Sequence, residues 1–277
     1  MNSYKFSCCP WCSSSQLAKS GKITYYDPIE FSSHQIKLQE TPELWRCLVC
    51  NSGFVQNILP ENIAQNLYVE GDSGTRWQRE PLTKKVLEAL DIWFVPGCRV
   101  LDVGCNTGEL LDYAKDRGCF TTGVEFSAAS QQVLKCKGHE VYSDINCLQG
   151  SYDVIAAFDV LEHLYSPRSF LNCCTNALSL KGVCLFLTGN VECLSSKITG
   201  SDWWYLRYPE HIVFPSRKYF ETYSGMKLQN LIHTFASKEY EVSILSRFQK
   251  VISCIFRNNY NELPSIGTDH FLAVLSK

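Results

Sequence analysis

The chain has 277 residues, enough for one large α/β domain with a small satellite and too few for two large domains. Its 45% apolar and 19% charged residues exclude a disordered chain. A formal net charge of −2 lacks the basic excess that nucleic-acid binders carry, so nucleic acid is not the expected partner.

Residues 1–60 are short segments punctuated by Cys, Ser, Pro and Gly, and read as a separate small module. Residues 61–96 read as helix, with the apolar series Val86, Leu87, Leu90, Trp93 and Phe94. From residue 97 the pattern alternates strand, loop and helix. Arg99–Val103 reads as a strand and Glu109–Arg117 as the next helix. Thr121–Glu125, Glu140–Tyr142 and Tyr152–Phe158 read as strands; Ala128–Lys137 reads as a helix with Gly138 as its C-cap. Ser169–Leu180 reads as a helix, Lys181-Gly182 as a turn and Val183–Thr188 as the fifth strand. Lys227–Thr234 and His270–Ser276 read as two last strands, with a helical segment, Ser237 to Asn259, between them. This alternation predicts an α/β fold with a mostly parallel sheet covered on both faces. No apolar run reaches the roughly 20 residues that span a bilayer.

The strongest motif is the run from Val100 to Leu111, in which a strand delivers Asp102 and then Gly104-x-x-x-Gly108 opens a helix. Glycine serves where the backbone takes a positive φ or closely approaches a ligand. A dinucleotide site would carry G-x-G-x-x-G; here Asn106 stands in place of the second glycine. An acid two residues before Gly104 would repel a pyrophosphate and suits a cation such as an amino group. Glu125, at the end of the second strand, is placed to accept both hydroxyls of a ribose. Asp144-Ile145, after the third strand, could accept an adenine amino group and cover its ring.

These residues, with the segment Phe158-Asp-Val-Leu-Glu-His-Leu164, resemble the class I S-adenosylmethionine-dependent methyltransferases over roughly residues 80 to 277. The resemblance implies a Rossmann-like seven-stranded sheet with the last strand antiparallel. It implies S-adenosylmethionine as cofactor, held by Asp102, Gly104, Cys105, Gly108, Glu125, Phe126, Asp144, Ile145 and Phe158. It makes residues 61–96 a linker and a lid on the cofactor side, from which Arg76 could pair with the methionine carboxylate.

Cys9-Pro-Trp-Cys12 and Cys47-Leu-Val-Cys50 are two C-x-x-C pairs, and four thiolates close a structural zinc site. Cys8 is the alternative to Cys9. The fold expected for residues 1–60 is therefore zinc-ribbon-like, with a strand or hairpin between Gly21 and Arg46 and a tight knuckle turn at Gly53. There are 15 cysteines, an odd number, and the start has no apolar signal-peptide region. Reduced thiols in a cytoplasmic protein are the expectation. Residues 1–70 carry five Lys/Arg against six Asp/Glu, a poor surface for RNA. The run Leu44–Val55 followed by Leu67-Tyr68 is similar to bacterial methyltransferases with a zinc module ahead of the catalytic domain, which act on sugars, glycans and natural-product intermediates.

That similarity implies a small-molecule acceptor. His163, after the fourth strand, and His211, in Tyr208-Pro-Glu-His-Ile-Val-Phe-Pro215, are the candidate bases for an acceptor hydroxyl. Trp203, Trp204, Tyr205 and Tyr208 are the candidate acceptor-binding aromatics. His34, His139, His233 and His270 sit in unremarkable contexts.

Overall fold

The computed structural model describes residues 3–23, 29–31, 34–70, 82–148, 150–235 and 268–277, with isolated positions between 249 and 256. Arg76 and nearly all of the segment Ser237 to Asn259 lie outside the described residues.

The N-terminal part holds β1 (Leu17–Lys22), β2 (Ile29–Phe31), β3 (His34–Ile36), β4 (Glu43–Cys47) and β5 (Gly53–Gln56). β2 and β3 form the hairpin expected between Gly21 and Arg46. Then come α1 (Glu61–Glu70) and α2 (Lys84–Trp93). Val86, Ala89 and Leu90 are the buried stripe of α2, at the i, i+3, i+4 spacing of an amphipathic helix.

The α/β part runs β6 (Arg99–Val103), α3 (Glu109–Lys115), β7 (Phe120–Val124), α4 (Ala128–Cys136), β8 (Glu140–Tyr142), β9 (Tyr152–Phe158), α5 (Pro167–Ala177), β10 (Leu178–Gly189), α6 (Leu194–Thr199), β11 (Val213–Phe214), α7 (Arg217–Thr222), β12 (Lys227–Thr234) and β13 (His270–Ser276). Seven strands form one sheet in the order β12-β13-β10-β9-β6-β7-β8. β13 runs antiparallel to both its neighbours, while β10, β9, β6, β7 and β8 pair in parallel. The sheet is buried on both faces. Val100, Val154, Ala156, Phe158, Leu185 and Leu187 pack toward α2 on one side. Leu101, Val103, Ile155, Ala157, Cys184 and Phe186 pack on the other, against a core that continues into Phe6, Trp11, Leu44 and Phe54 of the N-terminal part.

Three expectations are corrected. The helix over Ser169–Leu180 stops at Ala177, and Leu178 already pairs with Tyr152 of β9. Lys181-Gly182 is not a separate turn before the fifth strand. It lies in β10, where the register jumps between Leu178 and Val183, so the chain bulges without leaving the sheet. Gly53 is a paired strand residue, not the knuckle turn; the left-handed residue after the second cysteine pair is Asn51, at φ 63°.

β11 is the link between the two parts. Although it follows β10 in the chain, it completes the N-terminal sheet, whose order is β1-β4-β5-β11. Among the described residues no helix is long and apolar enough to cross a membrane.

Candidate active site and metal centre

The residues expected to hold the cofactor gather at the carboxyl ends of β6, β7 and β8. Asp102, the last residue but one of β6, is fully buried. Gly104 and Gly108 then take φ of 71° and 87°, and Gly108 caps α3. A Cβ on Gly104 would fall 2.6 Å from Val160, so no side chain fits at that turn. Between them Asn106 holds φ 48°, an uncommon conformation for a side chain with a Cβ. Glu125 explains why it is tolerated: one carboxylate oxygen accepts the Asn106 N–H and the other the Ser127 N–H, each at 2.9 Å. The loop after β6 is thus clamped to the end of β7.

Phe126 stands beside this clamp with 69% of its surface exposed, a large apolar ring with nothing covering it. Asp144 and Ile145 are half-buried after β8, and Asp144 accepts the Asn146 N–H at 2.8 Å. One buried and two half-buried carboxylates, glycine turns and an exposed aromatic ring fit an amino acid–nucleoside cofactor. Cys105 and Phe158 do not present side chains to it. Cys105 is buried with its Sγ 3.7 Å from the Val124 carbonyl, and Phe158 is part of the core below the sheet. Their side chains support the loops from behind.

The residues expected to serve the acceptor gather at the ends of β9 and β10. Glu162 and His163 sit in a short 3-10 turn after β9, and Glu162 is fully buried. Its carboxylate accepts hydrogen bonds from Thr188 Oγ1, at 2.8 Å, and from the Tyr205 hydroxyl. Burial raises its pKa above the usual carboxylate range. His163 and His211 meet edge to face, ring centres 4.8 Å apart. His211 is 7% exposed, and its Nδ1 lies 2.6 Å from the Tyr205 carbonyl. A carbonyl only accepts, so Nδ1 carries the proton and Nε2 keeps the lone pair of the neutral ring. Burial, then the neighbouring His163, pushes the His211 pKa well below 6.5. His163 places Nδ1 2.9 Å from the Glu210 carbonyl, and burial lowers its pKa too. Glu162, His163 and His211 bring their ligand atoms within 4.8 Å of one another, a set able to hold a cation or move a proton.

The sequence reading missed four members of this cluster. Glu162 lies in the Phe158–Leu164 segment that carries the family resemblance, but no role was expected of it. Thr188, the last residue but one of β10, donates to Glu162. Asp159 takes φ 53° at the end of β9 and lies 3.4 Å from the Tyr205 hydroxyl. His270, dismissed above, is 1% exposed at the start of β13; Asp269 binds it at 3.2 Å and raises its pKa against the cost of burial. Only the positive φ of Asp159 leaves a signal, and that signal is structural.

The expectation for the aromatics is corrected in part. Trp203 and Tyr205 are 2% and 4% exposed and pack on Phe214, so they build the wall behind the site. Gly189 permits this, because a Cβ there would lie 2.2 Å from the Tyr205 ring. Trp204 and Tyr208 are half-buried; the Trp204 ring N–H donates to Asp269 at 2.6 Å.

The four-cysteine cluster is built with Cys9, not Cys8. Cys9, Cys12, Cys47 and Cys50 place all four Sγ atoms within 4.8 Å of one another. Cys9–Cys50 and Cys12–Cys47 approach to 3.6 and 3.5 Å, close to the edge of a tetrahedron with zinc–sulfur bonds of about 2.3 Å. The two pairs sit on matching knuckles. Ser13 N–H bonds the Cys9 carbonyl and Asn51 N–H the Cys47 carbonyl, with Ser13 and Asn51 at φ 60° and 63°. The Val49 and Cys50 N–H groups point at the Cys47 sulfur. Without a cation the four cannot all ionise: the Cys50 thiolate is pulled down to about 5 by the Cys9 thiol donating to it, while burial pushes Cys12 up to about 11. The donor set therefore fits zinc. No disulfide occurs among the described residues.

Comparison with known proteins agrees with this geometry. Similar curated proteins are the ubiquinone biosynthesis O-methyltransferases of Idiomarina loihiensis, 31% identical over 34% of this chain and 43% of that protein, and of Pasteurella multocida, 33% identical over 34% of this chain and 47% of that protein. The matched region is thus about half the length of those relatives or less. Among solved structures, an S-adenosylmethionine-dependent methyltransferase from Archaeoglobus fulgidus is similar, with TM-score 0.52 and 21% identity over 70% of this chain and 92% of that one. A Geobacter sulfurreducens methyltransferase in complex with S-adenosylhomocysteine gives TM-score 0.50 and 13% identity over 79% of this chain and 98% of that one. These likenesses show the fold of S-adenosylmethionine-dependent methyltransferases. Residues 75–223, more than half of the chain, match the methyltransferase domain family, and to that family this protein belongs.

Proposed function

We propose that the chain transfers a methyl group from S-adenosylmethionine to a hydroxyl of a small molecule, with His211 as the general base. The acceptor class we favour is a sugar-containing or natural-product intermediate, on the likeness of the N-terminal module. The O-methyltransferase relatives support a hydroxyl nucleophile. The observation that carries the reading is the fixed tautomer of His211: a buried neutral imidazole whose Nδ1 proton is held by the Tyr205 carbonyl.

S-adenosylmethionine supplies an electrophilic methyl carbon, and the chain's residues do the rest. Asp102 would receive the amino group of the methionine moiety, Glu125 the ribose hydroxyls, and Asp144 with Ile145 and Phe126 the adenine. An alcohol is a weak nucleophile until its proton leaves. His211 Nε2 would take that proton as the oxygen attacks, and the Tyr205 carbonyl stabilises the imidazolium that forms. Trp204 and Tyr208, the less buried aromatics, would line the acceptor. The zinc site holds structure and takes no part in the transfer.

The test is kinetic. Against a panel of phenolic, sugar and nucleoside hydroxyls, the wild type should methylate at least one. His211→Ala should then lower kcat by about 10²–10⁴-fold, with S-adenosylhomocysteine affinity unchanged. Near-normal kcat in His211→Ala would remove the histidine base from the reading.

A further inference from the structure

We infer that the four-cysteine centre is a positioning device for the acceptor half of the active site, acting on His211 through β5 and β11. The inference rests on the zinc reading of the cysteine site and on His211 as base.

The path is a run of backbone and hydroxyl contacts. Cys47 and Cys50 bracket the knuckle between β4 and β5, and the Cys47 N–H closes it on the Ser52 carbonyl at 3.0 Å. Ser216 grips that knuckle from the other part of the chain. Its hydroxyl donates to the Cys50 carbonyl, and its N–H donates to Ser52 Oγ at 3.2 Å. The same hydroxyl oxygen caps α7 by accepting the Tyr219 N–H at 3.0 Å. Tyr219 in turn packs its ring 5.0 Å from that of Trp11, which lies between Cys9 and Cys12. Both knuckles therefore touch the segment that begins five residues after His211.

The strand itself completes the path. Val213 and Phe214 pair with Phe54 and Gly53. One residue nearer the base, Ile212 is held on both sides: its carbonyl accepts the Val55 N–H and its own N–H donates to the Glu162 carbonyl, each at 2.7 Å. His211 and Glu210 hang from the end of this ladder, and the Glu210 carbonyl is the partner that orients His163. β11 has only two residues, too few to hold a place by its own pairing, and its strand partners lie in the cysteine module. The cofactor half has no such dependence: Asp102, Gly104 and Glu125 are fixed by β6 and β7 in the central sheet.

The test uses the full-length protein with its bound metal. Zinc is measured by elemental analysis, then stripped with a chelator under reducing conditions. Hydrogen exchange is followed over 209–216 and over 100–108. Stripping should raise exchange at 211–214 by about tenfold or more, leave 100–108 protected, and change S-adenosylhomocysteine affinity less than threefold. Ser216→Ala keeps all four thiolates, and guards against collapse of the stripped protein. It should retain zinc, raise exchange at 211–214, and move the His211 ring titration, read by NMR, up toward 6.5 as the ring leaves its buried place among Glu162, His163, Arg207 and His270. Ser216→Thr, which restores a hydroxyl, should return both readouts. If zinc departs and neither the 211–214 amides nor the His211 titration changes, or if Ser216→Ala changes neither, the positioning role is overturned while the zinc site stands. A folded protein that never binds zinc overturns the metal reading itself.

Discussion

Replacing Glu125 tests the cofactor half of the site, and the structure makes the usual conservative replacement informative. Both carboxylate oxygens already accept a backbone N–H, from Asn106 and from Ser127. Each oxygen has a second lone pair, which is what a ribose hydroxyl would use. Glu125→Ala removes those acceptors and frees the Asn106 loop. At about 1.5–3 kcal/mol for hydrogen bonds to a charged group, and 1.4 kcal/mol per tenfold, the Kd for S-adenosylhomocysteine should rise about 10- to 140-fold. Glu125→Gln should be nearly as damaging. One of its two terminal atoms becomes an NH2 facing a backbone N–H, donor against donor, so the amide must turn away from one loop. Isothermal titration at constant salt reads all three proteins. A Glu125→Ala Kd within threefold of wild type would refute the ribose assignment, and a wild-type Glu125→Gln would refute the argument from the two N–H contacts.

Further outcomes follow from the same contacts. Zinc should be present at about one per chain, and Cys47→Ser should lose it, because a three-thiolate site lacks a corner of the tetrahedron; elemental analysis after dialysis decides this. Gly189→Ala would put a methyl group 2.2 Å from the Tyr205 ring and should cost about 1–3 kcal/mol in overpacking, seen as a lower Tm; an unchanged Tm would show that the ring has room to move. With an acceptor in hand, kcat/KM should be level above pH 6.5 and fall only below it. Burial lowers the pKa of His211, so its neutral, active form persists until the pH drops beneath the ordinary value. The same sign governs stability. The unfolded chain takes up this proton near 6.5 and the folded chain resists it, so unfolding should become easier as pH falls below 6.5. An acid limb centred above pH 7 would exclude His211 as the group observed.

The cofactor half was legible because its signals are local. Asp102, Gly104 and Gly108 lie within seven residues, and a strand, a turn of forced positive φ and a helix must follow one another there. The strands β6, β8, β9, β12 and β13 were read with their observed ends; in β9 and β13 the nearly unbroken apolar runs suit strands buried on both faces. The fifth helix misled because Leu178 suits either a helix end or a strand start, and only its partner Tyr152 decides between them. The cysteine pairs were legible for the same reason as the glycine loop: each C-x-x-C spacing is a complete local instruction.

The acceptor half was not legible, because no stretch of sequence contains it. Glu162 acquires its character only from Thr188 and Tyr205, and its carbonyl holds Ile212, fifty residues away. His270 enters the cluster because β13 runs antiparallel, which brings the start of that strand to the end of β10. Aromatic residues in a polar segment look like an acceptor platform, yet Tyr205 packs inward over Gly189, where a Cβ would meet its ring, and Trp203 packs beside it on Phe214. The placing of His211 needs the strand pairing of β5 with β11, a contact between residues about 160 positions apart. The four-cysteine module and the methyltransferase domain therefore cannot be treated as beads on a string. His211 stands where the two meet, next to the strand that pairs with the N-terminal sheet, so its place depends on the folding of both.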